Sequence, residues 1–220
     1  MSMGFFASGA MGQGGGPPPA GIEVIGSTQA TVAASISVAM PAVVDAGDWL
    51  YVVIATHGSV TVSTPSGWTA MGDAGAGANV LWTYTFRRLA NGTEGGTSVS
   101  FGLSPSNRAV AICHRIPVAM VNNATAPSSS SATGTGQQPD PPSHSPAWGA
   151  EDTIWVAWAA VGARQITSLP YANNNLYVSI PEFGLATCSI QSNTTTLDPP
   201  PFTAASTGAW VARTVAFRPA

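Results

Sequence analysis

Lysine is absent from this chain: its seven basic residues are all arginines, set against ten acids. Charged residues make up only 8% of the 220 positions, where an ordinary soluble domain carries about a quarter. The surface must therefore be built from Ser, Thr, Asn, Gln, Gly and Pro. A freely dissolved monomer normally keeps charge on its surface for solubility. This scarcity suits a chain packed in an assembly and predicts a homo-oligomer, a trimer being one arrangement. The net charge is −3 and no basic cluster exists beyond Arg87-Arg88, so the footprint of a phosphate-backbone binder is missing and nucleic acid is excluded as a partner. No run approaches the roughly eighteen apolar residues of a membrane-spanning helix, and no membrane partner is expected. The only cysteines, Cys113 and Cys188, lie in apolar strand-like runs, where a buried free thiol is the ordinary state.

Chemistry-bearing patterns are equally scarce. His57, His114 and His144 are far apart, with neither H-x-H nor H-E-x-x-H spacing. There is no G-x-S-x-G elbow for a nucleophilic serine and no D-x-D-x-D cluster for calcium. Glu151 and Asp152 are adjacent, so on a strand they point to opposite faces and cannot act as a paired acid and base. Asp45 and Asp48 flank a turn into a strand, where Asp commonly accepts backbone hydrogen bonds. The glycine runs GDAGAGA and NGTEGG lack the strand-to-helix context and the Lys of a phosphate loop; they read as hairpin turns. These absences predict no catalytic residue, no metal and no cofactor, hence a protein that is not an enzyme.

What is present is a succession of short segments rich in β-branched and aromatic residues: 48–57, 79–89, 97–103, 108–116, 152–161, 175–180, 185–192 and 209–218. Turn signals such as PSG, SPSN and PEFG separate them. The pattern predicts an all-β fold, an antiparallel β-sandwich of jelly-roll type. Residues 28–43, although rich in alanine, alternate in the manner of a strand. In NVLWTYTFRR the period of two puts Val80, Trp82, Tyr84 and Phe86 on one face, read as inward, and Leu81, Thr83, Thr85 and Arg87 on the other, read as outward. DWLYVVIA and DTIWVAWAAV are apolar on both faces, as central strands covered from both sides would be. Two stretches read as loops over the outside of the sandwich: the polar Ser- and Pro-rich 122–147 and the triple-proline 194–206.

The seven tryptophans divide into five within strands and two, Trp68 and Trp148, that follow turns. The pair either plugs the ends of the sandwich or forms an exposed aromatic shelf for a host glycan. The first twenty residues, MSMGFFASGAMGQGGGPPPA, have no basic residue and an apolar run broken by Gly4, Ser8 and Gly9, which argues against an export signal. Residues 1–20 read instead as a flexible N-terminal anchoring arm with a polyproline spacer, with a plain tail as the alternative. Phe5, Phe6 and Met11 are its partner-binding candidates, since a solvated tail has no use for such groups. Residues 21–220 form the single domain.

Several stretches together resemble the β-sandwich structural proteins of tailed bacteriophages: AGDWLYVVIA, PSGWTAMGD, LWTYTFRRLANGTEGGTSVSF, AVAICHRIPVA, WGAEDTIWVAWAA and WVARTVAFRPA. The likeness runs over about residues 43–217 and rests on strand and turn motifs. It implies a virion protein on the exterior of the particle, decorating the capsid or forming a head fibre. Its partners would be other virion proteins, the major capsid protein or tail proteins. The alternative is a tail-associated fibre or carbohydrate-binding module for host attachment. The resemblance supplies no catalytic residue, and the leader has no counterpart in it.

Overall fold

A computed structural model describes residues 21–78, 80–162 and 165–220. In it the apolar segments become strands β1 (Glu23–Ala39), β2 (Ala46–His57), β3 (Thr61–Val62), β4 (Thr69–Ala76), β5 (Leu81–Asn91), β6 (Ser98–Ile116), β7 (Ser128–Gly136), β8 (Glu151–Val161), β9 (Ile166–Ser168), β10 (Asn173–Ser179), β11 (Gly184–Thr194), β12 (Thr203–Ala204) and β13 (Gly208–Phe217). The first sheet has the order β1-β6-β2-β5-β4, with β3 attached to β6; the second has the order β10-β11-β8-β13-β7; β9 and β12 pair as a small ribbon. Neighbouring strands are antiparallel. The fold is thus an all-β sandwich, as the sequence pattern predicts. The jelly-roll path does not carry over. A jelly roll shuttles the chain between its sheets, whereas here one contiguous half of the chain builds each sheet.

Apolar packing occurs in three layers. Between the sheets, Tyr51, Val53 and Ile112 meet Val156, Trp158 and Val215. The outer face of the first sheet is covered by the chain's own two longest strands. Strands β1 and β6 pair through register shifts between Gln29 and Ser35, and their distal parts bring Ile36, Val38 and Phe101 against Leu50, Val52 and Phe86. The outer face of the second sheet is rich in alanine, and Ile166, Phe202 and Ala204 close over Ala157, Ala159 and Ala212. Phe202 lies in the triple-proline stretch, which runs over the outside as expected. This double cover explains why β2 and β8 are apolar on both faces.

Several local expectations need correction. Tyr84 and Phe86 face the outer layer, while Leu81 lies between the sheets. Thr83 and Thr85, expected outside, are buried. Their hydroxyls donate to the Ala74 and Gly72 carbonyls at 3.2 and 2.9 Å, which satisfies them without water. Within the expected loop 122–147, the serine-rich 128–136 is strand β7, paired with β13 from Ser128↔Ala216 to Gly136↔Gly208. Its pairing comes from a tertiary neighbour, for which its own composition has no signal. The SPSN stretch does not turn, since β6 runs through it, and GDAGA belongs to β4 rather than to a turn. The NGTEGG stretch connects β5 to β6, but these two strands flank β2 and do not pair, so it crosses over a strand and is not the expected hairpin turn.

The edge strands β4 and β7 carry the same device. Gly75 is paired with Trp82 and Gly134 with Trp210. In each case a Cβ on the glycine would sit 2.4 Å from the indole. The ring lies flat across a bare backbone and covers the edge that the missing side chain exposes.

Candidate functional site

Strand β1 begins at one end of the sandwich. Gly21 lies against Pro117, and Ile22 is buried in the layer between the sheets. The C-terminus returns to the same place: Asn122 N–H donates to the Arg218 carbonyl at 3.0 Å and Ala220 N–H to Met120 at 3.3 Å. At this pole one guanidinium collects three carboxylates. Arg115 donates Nε to Asp48 at 2.5 Å, Nη1 to Glu23 at 2.8 Å and Nη2 to Asp45 at 2.7 Å. Asp48 is 0% exposed and also accepts the backbone N–H of Asp45 and of Val118, each at 2.8 Å. Its expected role as a backbone acceptor therefore holds. Gly47 before it has φ +93, and a Cβ there would reach 2.9 Å from Val118, so the AGD stretch needs its glycine. Burial opposes the Arg115 charge, but the hydrogen bonds from Asp48 and Glu23 outweigh it and raise the guanidinium above its usual range. The cluster ties β1, β2 and β6 together at this pole.

The other motifs of the sequence are latches of the same kind. Glu94 of NGTEGG is buried. It accepts the N–H groups of Asn91 at 3.2 Å, Gly92 at 3.0 Å and Thr93 at 3.0 Å, and pairs with Arg88 at 2.7 Å. Burial pushes its carboxyl up, yet the backbone donors and Arg88 prevail and hold it below the usual carboxylate range. Trp68 of PSGW is only 7% exposed, edge-on to Phe101 at 5.5 Å. It plugs the outer layer and presents no shelf. Trp148 is half-buried, packs against the Trp155 cluster and donates Nε1 to Thr153 at 2.9 Å. The two indoles belong to opposite outer layers, so they form no common aromatic surface. Phe5, Phe6 and Met11 lie outside the described residues.

The histidines are equally separate. His57 is exposed at the end of β2. His114 is buried, with Nε2 2.8 Å from the Thr187 hydroxyl. That hydroxyl donates to the Ala157 carbonyl at 3.2 Å, so His114 carries its proton on Nε2. Burial pushes its pKa down to about 4, with a backbone interaction at Tyr51 acting the other way. His144 bridges two serines of β7, with Nε2 2.8 Å from Ser128 and Nδ1 2.9 Å from Ser130. This bridge pins the edge strand to the following loop, and no carboxylate orients the ring. Glu151 pairs with Arg218 at 2.7 Å, and Asp152 accepts from Gln191 at 2.9 Å. Among the described residues no three of His, Cys, Asp or Glu are grouped to hold a metal. Cys113 and Cys188 are free, buried thiols in the two different outer layers. Burial pushes Cys188 up to about 12 and Cys113 higher still, so neither is a ready nucleophile.

The site residues that sequence reasoning missed are Arg115 and Arg213. Arg115 sits 67 positions from Asp48 and 92 from Glu23, a separation no local motif bridges. Arg213 lies inside the sandwich within a strand that otherwise reads as apolar core. Compared with family models, curated proteins and solved structures, the chain matches none.

Proposed function

We infer that the chain is a non-enzymatic structural protein of a bacteriophage particle, carried on the exterior of the virion and attached through its N-terminal arm. The observation that carries this reading is what the shared motifs do. Asp48 of AGD, Trp68 of PSGW and Glu94 of NGTEGG are each buried and each close a joint of the scaffold. Their chemistry is consumed in holding the sandwich in shape. Further support comes from the polarity of the domain. The arm joins at the Arg115 pole, beside the C-terminus, which leaves the opposite turns around His57, Gly162 and Pro181 to face away from a support. The low charge of the chain suits many copies held at high local density, where burial against neighbours adds stability by association.

The test is cosedimentation of the full chain, and of the same chain with Phe5 and Phe6 both replaced by Ser, with undecorated capsids and separately with tails. Capsid binding that the double substitution abolishes, with the domain still folded by circular dichroism, is the expected result. Binding to tails moves the protein to that part of the particle. Binding to neither overturns the reading.

A further inference from the structure

Among the described residues, two arginines make no ion pair. Every one of the ten acids lies among the described residues, and the ion pairs they make go to Arg88, Arg108, Arg115 and Arg218. Arg87 and Arg213 receive none. Arg213 is 4% exposed and points between the sheets from β13. Its Nη1 donates to the hydroxyls of Thr85 at 3.1 Å and Ser129 at 3.3 Å, while its buried Nε has no partner. The Trp158 ring, 5.8 Å away, is a cation–π neighbour, a weak substitute for a counter-ion in a site withdrawn from water. The Tyr51 phenol feels the Arg213 charge, yet burial pushes it up to about 12; it remains neutral and cannot serve as the anion.

The two arginines converge on one place. Thr85 and Arg87 share a face of β5. Arg87 donates Nη1 to the Pro127 carbonyl at 3.4 Å, two residues from the Ser129 that Arg213 touches. Gly72 of β4 stands against the Arg213 guanidinium, where a Cβ would lie 3.7 Å from Nη2. At this seam, where the edges of β4 and β7 face each other, a cleft of about 300 Å³ is lined by Ala70, Met71, Arg87, Pro127 and Ser129. A lined cleft with one cation on its wall and a second buried behind its serine is a place that lacks only negative charge.

We propose that this cleft binds a small oxyanion, a carboxylate or phosphate group, held between Arg87 and Arg213 and oriented by the Ser129 hydroxyl. Planar guanidinium forks match both kinds of oxygen pair, and charge-assisted hydrogen bonds of this type are the strong ones. The assignment is independent of the virion reading, since it rests on charge and geometry alone.

The test is thermal unfolding and titration calorimetry of the full chain with inorganic phosphate and, separately, acetate, at ionic strength held constant with sodium chloride. The expected result is a saturable rise in Tm with at least one anion, and the one that works identifies the group. Arg87→Gln should weaken the apparent Kd about tenfold or more. Arg213→Met should abolish saturation while leaving the protein at least as stable in chloride alone, because a buried unpaired charge has been exchanged for an apolar side chain. If Arg213→Met fails to fold, Arg87→Gln decides, since Arg87 is only half-buried. A response to neither anion, or equal responses in wild type and Arg87→Gln, overturns the proposal.

Discussion

Acidification from pH 7 to pH 5 should destabilise this protein, and the part carried by His114 can be worked out. In the fold its pKa is pushed down from the ordinary 6.5 to about 4 by burial. Its ring is enclosed by Tyr51 and Thr187, with no carboxylate to stabilise an imidazolium. The unfolded chain takes up a proton near 6.5 while the fold refuses it until about 4, so stability is full above the higher value and falls as pH drops between the two. The complete difference is worth about 3 kcal/mol, and roughly 2 kcal/mol of it is lost by pH 5. That is a large share of a stability of about 5–15 kcal/mol. The assay is urea unfolding at half-unit steps from pH 7 to pH 4.5 for wild type and His114→Gln, which keeps a donor for Thr187 but cannot titrate. The difference between the two profiles isolates His114 from His144, whose pKa burial also lowers. Parallel profiles, or titration near 6.5 of the imidazole resonance that His114→Gln removes, would refute the reasoning.

The remaining predictions concern the latches and the sheet edge. Asp48→Asn removes the buried partner of Arg115 and should cost about 3 kcal/mol, read as a lower urea midpoint at unchanged slope. Glu94→Gln should cost about 2 kcal/mol at pH 7 by weakening its charge-assisted bonds to three backbone donors and Arg88. Because the Glu94 pKa is lowered in the fold, its contribution is present above the ordinary carboxylate range and disappears as pH falls below it. Wild type and variant should therefore converge in stability as the pH falls below that range. Gly134→Val drives a side chain into the Trp210 indole and should cost about 2 kcal/mol. Intrinsic tryptophan fluorescence should report it as a change in the Trp210 environment, and an unchanged Tm would deny the packing role of the edge glycine.

Much of the strand content was legible because β2, β8, β11 and β13 are long runs of β-branched and aromatic residues. Strand β7 was not, because SSSSATGTG has no apolar period; it is a strand only because β13 offers it an unpaired edge. The β5 alternation was visible, but its direction was not. A period of two separates faces without saying which one meets the other sheet, and when both are covered either assignment fits the pattern. The bland reading of Asp48 was accessible from its place before a strand. Its salt bridges were not, since they join positions about 70 residues apart.

The sequence by itself determined that the chain is all-β, that its surface is nearly uncharged, and that its central strands are buried on both sides. Those are consequences of composition and local period, which act before any two distant segments meet. Tertiary structure alone decided that each half of the chain builds its own sheet, that the paired strands β1 and β6 fold over the outer face, and that Arg115 gathers three acids. It also decided that the buried Arg213 reaches the Ser129 hydroxyl behind the cleft that Arg87 lines. The physical reason is that charge pairing and burial depend on distance in space. The positions of Glu23, Asp45, Asp48 and Arg115 along the chain carry no information about that distance until the sheets have closed.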